Sequence, residues 1–180
     1  MNDTTSSNIV CFTGHRTIKG AALRELPERL EEALIELIQS GYTVFRAGGA
    51  LGFDTMVATE VLNLQRKLYP SMKLILAIPC VGQEDRWTPI QKALYKQIRQ
   101  LANGEFVLSS HYYNGCMHKR NDFMVEHSSH LIAFVKRSEG GSAYTLRTAQ
   151  KKGLSICNLA EKIYHTQLDF FAEQGQFENI

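Results

Sequence analysis

The feature that most constrains this chain is its punctuation. Short apolar runs, each halted by glycine or proline, alternate with longer segments of helical periodicity. Ile9 to Thr13 stops at Gly14, Tyr42 to Ala47 at Gly48, and Met72 to Ile78 at Pro79. Glu105 to Leu108, His130 to Val135 and Leu154 to Cys157 continue the series. These runs lack the strict apolar–polar alternation of half-solvated strands, so they read as strands buried on both faces. Such strands separated by helices imply a parallel sheet. The expected fold is α/β, a three-layer Rossmann-like arrangement with a mostly parallel sheet of about six strands and helices on both faces.

The intervening segments carry the helical signals. Leu30, Leu34, Leu37 and Ile38 mark a helix over Pro27 to Gln39, with Pro27 in its first turn and Gly41 after its end. Phe53, Val57, Val61, Leu64 and Leu68 form a second stripe over Leu51 to Leu68. Thr88-Pro89-Ile90-Gln91 combines a cap, a proline at the first helical position and a capping-box glutamine. Leu94, Ile98 and Leu101 continue that face, and Asn103-Gly104 ends it. A fourth helix is expected over Met117 to His127, and a fifth from the glycine turn at 140–141 to Lys152, stopped by Gly153. Residues 1–8 read as a flexible N-terminus, 9–159 as one Rossmann-like domain, and 160–180 as a C-terminal extension, helical in part.

Composition narrows the function. The 180 residues carry a formal net charge of +2, too small to demand a nucleic acid or an anionic membrane as partner. No apolar stretch approaches the roughly 18 residues that a membrane span needs. Cys11, Cys80, Cys116 and Cys157 make no C-x-x-C pair, which removes zinc-ribbon and thioredoxin readings. Cys11 and Cys157 lie in apolar runs and read as buried thiols. With no signal-like N-terminus, a cytoplasmic location is expected. No metal site or cofactor is expected, because Cys116 and His118 have no third ligand at metal spacing.

In an open parallel sheet, ligands bind beyond the carboxyl ends of the strands, so the turns there are the candidate site. The first holds Thr13, Gly14, His15 and Arg16: a hydroxyl, a turn that allows close backbone approach, and a guanidinium fork suited to phosphate. In the second, Gly48, Gly49 and Gly52 precede a helix that opens with Asp54. Its backbone N–H groups are expected to face an anion, and Asp54 to cap N–H groups or accept from a ribose hydroxyl. The spacing is neither G-x-G-x-x-G nor a Walker A loop. The third turn holds Gly140, Gly141 and Ser142, with Thr145 one helical turn on, all suited to a phosphate at a helix N-terminus. On the fourth segment, Arg120 and Asn121 are expected to face the same cleft. Trp87, the sole tryptophan, is weighed as a base-stacking residue against simple packing.

At these positions the sequence resembles the SLOG superfamily, which groups the DNA-processing protein A fold with the Lonely Guy proteins, and most of all its YpsA-like branch. The runs Thr13-Gly14-His15-Arg16 and Gly48-Gly49-Ala50-Leu51-Gly52-Phe53-Asp54, and the loop from Pro79 through Gln83 to Trp87, carry that likeness. Ala50-Leu51-Gly52-Phe53-Asp54 is similar to the A-x-G-x-D turn of DNA-processing protein A. Met117-His118-Lys119-Arg120, followed by Gly140-Gly141, is similar to the M-H-x-R…G-G pattern of Lonely Guy enzymes, which cleave the N-glycosidic bond of nucleoside monophosphates. By that resemblance Arg120 matches a catalytic arginine. The partner glutamate has no match, since Ser-Ala-Tyr-Thr-Leu-Arg-Thr follows Gly141. Asp54, Glu84 and Glu126 are the carboxylates that would have to stand in for it.

Three readings stay open at this stage. The first is a binding or sensor module for a small nucleotide-type ligand, such as a nucleoside phosphate or an ADP-ribose-like molecule. The second is a phosphoribohydrolase-type enzyme. The third is a single-stranded DNA binder, which the near-neutral charge disfavours. A homodimer is expected by resemblance alone.

Overall fold

The structure, a computed structural model, describes residues 8–161. The expected N-terminal tail, apart from Asn8, and the C-terminal extension beyond Glu161 lie outside the described residues. Six strands and five helices alternate: β1 (Ile9–Gly14), α1 (Ala21–Gln39), β2 (Val44–Ala47), α2 (Phe53–Lys67), β3 (Lys73–Ile78), α3 (Pro89–Leu101), β4 (Gly104–Val107), α4 (Cys116–Glu126), β5 (His130–Phe134), α5 (Gly141–Lys152) and β6 (Ser155–Asn158).

The strands form one sheet in the order β4-β3-β2-β1-β5-β6, and every pairing is parallel. The chain winds outward from β1 to β4, crosses back by way of α4, and continues from β5 to β6 on the far side. The strand order therefore reverses between β1 and β5, where Gly14 pairs with Phe134 at the carboxyl ends.

Two cores follow from the alternation of side chains across the pleat. Val10, Phe12, Phe45, Leu74, Leu76, Ile132 and Phe134 face α1, α2 and α3. Cys11, Ala77, Leu131 and Ala133 face α4 and α5, packing with Met124, Val125, Ala143 and Ala149. Both faces of the four inner strands are thus covered, which is why those strands read as continuous apolar runs, while the edge strands β4 and β6, expected to be buried on both faces, are exposed or half-buried because each has a neighbour on one side only.

Three expectations change. α1 begins at Ala21, so Pro27 lies inside the helix rather than in its first turn. Ala22 and Leu26 extend the stripe of Leu30 and Leu34 backwards, and all four are buried. That burial outweighs the one backbone hydrogen bond a proline removes. On α3 the buried face is Tyr95 and Ile98, while Leu94 and Leu101 are exposed. Leu68 is likewise exposed, just past the end of α2. The capping box at α3 forms: the Gln91 N–H donates to Thr88 Oγ1 at 3.3 Å, and the Thr88 N–H to Gln91 Oε1 at 3.0 Å.

Candidate functional site

A cleft of about 370 Å³ opens at the point where the strand order reverses. It collects the turn after β1, the start of α2, one side of α4 and the turn after β5. Of the residues expected there, Thr13, Gly14, His15, Arg16, Asp54, Arg120, Asn121, Gly140, Gly141 and Ser142 line it. Gly48, Gly49, Gly52, Thr145 and Trp87 do not.

Why those five stand aside is physical. Gly48 and Gly49 are buried behind the cleft wall, and their carbonyls are taken by side chains. Gly48 O accepts from Arg120 Nη1, and Gly49 O accepts from Gln83 Nε2 at 3.0 Å. A β-carbon on Gly48 would overlap the Arg120 guanidinium and come within 2.7 Å of Asp54. Gly52 takes a φ of +79° and passes so close to the Arg16 backbone that no side chain fits. Gly14 is governed by the same kind of crowding, since a β-carbon there would lie 2.5 Å from the Phe53 ring. Thr145 is fully buried and donates its hydroxyl to Gly141 O at 2.9 Å, a bond within its own helix. Trp87 packs edge-on against Tyr95, with centroids 5.1 Å apart, alongside α3. Of the rings that line the cleft, those of Phe12, His15 and His118, the last is backed by Tyr144 at 4.6 Å. Tyr144 is fixed in turn by its hydroxyl, which donates to Asp122 Oδ1 at 2.9 Å.

The floor of the cleft is a buried ion pair. Arg120 Nη1 lies 3.7 Å from Asp54 Oδ2, and Arg120 Nε donates to Asn121 Oδ1 at 2.7 Å. Asp54 Oδ2 also accepts the Ala50 N–H at 3.2 Å. Burial pushes the Asp54 carboxyl above its ordinary range, opposed by Arg120, the Ala50 amide and Arg16. Burial likewise lowers the Arg120 guanidinium, opposed by Asp54. Of the other carboxylates weighed beside Arg120, Glu126 pairs with Lys152 at 3.9 Å on the outer surface, and Glu84 lines a separate groove along α3.

His15 bridges two turns. Its Nε2 accepts the Lys136 N–H at 2.9 Å, and its Nδ1 lies 3.5 Å from Ser142 Oγ. An accepting Nε2 places the proton on Nδ1 in the neutral ring. Burial, then the charges of Arg137 and Lys136, hold this imidazole below its ordinary value. Above it stands the start of α5. Gly140 takes a φ of +92°, no side chain caps the helix, and its first internal bond is Tyr144 N–H to Gly140 O. The amides of Gly141, Ser142 and Ala143 precede that bond and have no partner within the helix.

Arg137, Glu139, Met117 and His118 also line the cleft, though sequence reasoning did not place them in the site. The M-H-x-R run was the available signal for Met117 and His118. Arg137 and Glu139 flank a glycine turn and carried none.

Comparison with known proteins identifies the lineage. A family model named YpsA, described as the YspA SLOG family, matches residues 11–165. The chain belongs to this SLOG family. It is 30% identical over 154 residues to the SPbeta prophage-derived protein YoqJ of Bacillus subtilis, covering 74% of this chain and 85% of that protein. It is 33% identical over 154 residues to a UPF0398 protein of Bacillus pumilus, covering 79% and 81%. Among solved structures it is similar to DNA processing protein A from Streptococcus pneumoniae, with a TM-score of 0.58 and 18% identity. The match covers 82% of this SLOG chain and 48% of that one. DNA processing protein A from Helicobacter pylori matches with a TM-score of 0.56 and 20% identity, over 86% of this chain and 65% of its own. The SLOG chain thus spans about half to two thirds of those two proteins. At these identities the likeness shows the shared Rossmann-like fold. Among the described residues no helix is long and apolar enough to cross a membrane, and no cluster of His, Cys, Asp and Glu is arranged to hold a metal ion.

Proposed function

We propose that this SLOG protein is a binding module for a phosphate-bearing, nucleotide-type ligand, held in the cleft between the turns after β1 and β5. The observation that carries this reading is the uncapped N-terminus of α5, which faces the same cleft as Arg16, Thr13 and His15. A helix start favours a nearby negative charge by about 0.3–1 kcal/mol. Each charge-assisted hydrogen bond adds about 1.5–3 kcal/mol. Together these suffice for micromolar affinity. His118 and Met117, on the opposite wall, offer a flat and polarisable surface to a base.

A hydrolase reading is supported less well. The carboxylate nearest Arg120 is Asp54, which already holds both that guanidinium and the Ala50 amide, so it is poorly placed to meet an oxocarbenium ion. Binding of single-stranded DNA is a second reading, favoured by the fold shared with the Helicobacter pylori protein, whose structure describes a single-stranded DNA binding mode.

The test is a thermal-shift screen of nucleotides and nucleotide sugars on the wild type and Ser142→Asp. A ligand at 100 times its Kd stabilises by about 2.7 kcal/mol. For a domain of this size that raises Tm by about 5–10 °C. An aspartate in the first turn of α5 suits the helix dipole and repels a phosphate. Ser142→Asp is therefore expected to keep or raise the ligand-free Tm and to abolish the shift. A panel that moves Tm in neither protein would remove the reading.

A further inference from the structure

Helix α3 leaves a second apolar face uncovered. Its core side is Tyr95 and Ile98, yet Ile90, Leu94 and Leu101 stay 83%, 39% and 55% exposed. With Gln97 these positions run at i, i+4, i+7 and i+11, so they form one stripe along the whole helix. Ala93 and Gln100 border the stripe on its outer side, and no charge interrupts it. Lys92, Lys96 and Arg99 all lie on the opposite flank, along the groove toward β4, where Arg99 pairs with Glu105 at 2.6 Å. An outer helix face is ordinarily where charges gather, and an apolar strip stripped of them has the composition of an interface centre.

The two ends of the stripe differ. Between the starts of α2 and α3 lies a hollow of about 710 Å³. Leu51, Met56, Leu94 and Tyr95 line it, and its two charged residues, Arg16 and Glu60, are of opposite sign. At the far end the same two helices are tied together, since Gln65 Nε2 donates to Asn103 Oδ1 at 2.9 Å. Leu101 projects there as a knob.

We infer that this face joins two copies of the chain, with α3 packed antiparallel on the α3 of its partner about a two-fold axis. The spacing of the stripe reads the same in either direction. A reversed copy therefore sets Ile90 against Leu101 of the partner subunit, and Leu94 against Gln97 of the partner subunit. Each Leu101 then meets the hollow of the other copy. A hollow at one end and a knob at the other is the reciprocity that a surface has toward its own copy. α3 has 13 residues and is about 20 Å long. With α2 alongside, the face is about 20 Å wide and buries roughly 600 Å² on each copy. That is the low end of specific interfaces, so the Kd is expected in the micromolar range. The pairing needs no ligand in the cleft.

Sedimentation velocity on the full chain, from about 1 µM to about 500 µM, brackets that range. The mean mass is expected to climb from that of one chain toward that of two. Ile90→Glu and Leu101→Lys each put a charge into the stripe at a largely exposed position. Each is expected to weaken the dimer about tenfold or more, with the Tm of dilute protein unchanged. A short bis-maleimide tests the direction of packing. An equal mixture of Ile90→Cys and Leu101→Cys chains is expected to cross-link, with the wild type as the control for its own cysteines. Either variant alone is not, because in the antiparallel pair like positions stand about 16 Å apart along the axis.

The mass of a single chain at every concentration overturns the inference. A dimer indifferent to both charged variants puts the contact on another face and overturns it equally. Cross-linking of one cysteine variant with itself, and not of the mixture, rules out the antiparallel pairing. If the charged variants misfold, the wild-type series and the mixed cross-link still decide.

Discussion

Gly48 and Arg120 illustrate how tightly single residues are coupled around the cleft. Arg120 is only 6% exposed, and it reaches Gly48 O because nothing projects from the Gly48 α-carbon. Gly48→Ala forces the guanidinium away from both Asp54 and the carbonyl, leaving a buried charge without its partner. We expect a loss of about 3 kcal/mol, read as a lower urea midpoint at unchanged slope. Gly141→Ala is the control, since a β-carbon there meets nothing within 4 Å and its φ lies outside the left-handed region. It is expected to leave the midpoint unchanged or to raise it slightly. A second buried arginine, Arg46 on β2, follows a different logic. Arg46 Nη1 donates to His127 O at 2.6 Å, at the end of α4, and the guanidinium lies against both the Phe106 and Phe123 rings, 5.9 and 5.4 Å from their centroids. In the sequence it is one cation within an apolar run, and nothing there tells of the helix end and the two rings it meets. The neighbouring Cys11 thiol is pushed up to about 12, chiefly by burial, which keeps it protonated and unreactive.

Among the elements, α3 is the one whose local sequence says most. Its start combines threonine cap, proline and glutamine, and both bonds of the capping box are present. Thr88 is exposed, so Thr88→Ala tests the cap without disturbing the core. The expected cost is about 1 kcal/mol, measured as a decrease in Tm of a few degrees. The inner face of the same helix was less legible. Leucines suggest the face Leu94–Ile98–Leu101, yet Tyr95 takes the buried position because its hydroxyl has a partner, accepting from Gln83 Nε2 at 2.7 Å. That partner lies twelve residues away in a loop, beyond the reach of any periodicity argument. The start of α1 was hidden for a related reason. Pro27 reads as the boundary, and only tertiary burial of Ala22 and Leu26 carries the helix back to Ala21.

For the whole molecule, the strand alternation was readable because the inner strands β1, β2, β3 and β5 are sandwiched between helices, which leaves unbroken apolar runs, whereas the edge strands β4 and β6 are exposed or half-buried. The site was readable in part, because ligand-binding turns sit at the carboxyl ends of strands. The direction of each backbone group was not. Gly48-Gly49 and Gly140-Gly141 look alike as strings, yet the first pair turns carbonyls inward to side chains while the second opens a helix start to the cleft. Stability also depends on pH through groups far apart. Burial holds the imidazole of His130, as of His15, below its ordinary value of 6.5. The unfolded chain then binds protons more readily than the folded one, so this stabilisation is complete above 6.5 and is lost as pH falls through the folded-state values. Asp54, raised by burial, acts in the opposite sense. His130→Phe keeps the ring beside Tyr42 and removes the titration. Its Tm is expected to fall less than that of the wild type between about pH 7.5 and 5.5, as followed by circular dichroism.

The reversal of strand order beside β1 also governs how the protein is made. A ribosome releases β1 to β4 with α1, α2 and α3 as one contiguous half-sheet before α4 is synthesised. Through that interval Asp54 has no Arg120 beside it, and the face of β1 that carries Cys11 has neither α4 nor α5 to cover it. The half-sheet from β1 to β4 is therefore expected to be adhesive until the second half of the chain arrives.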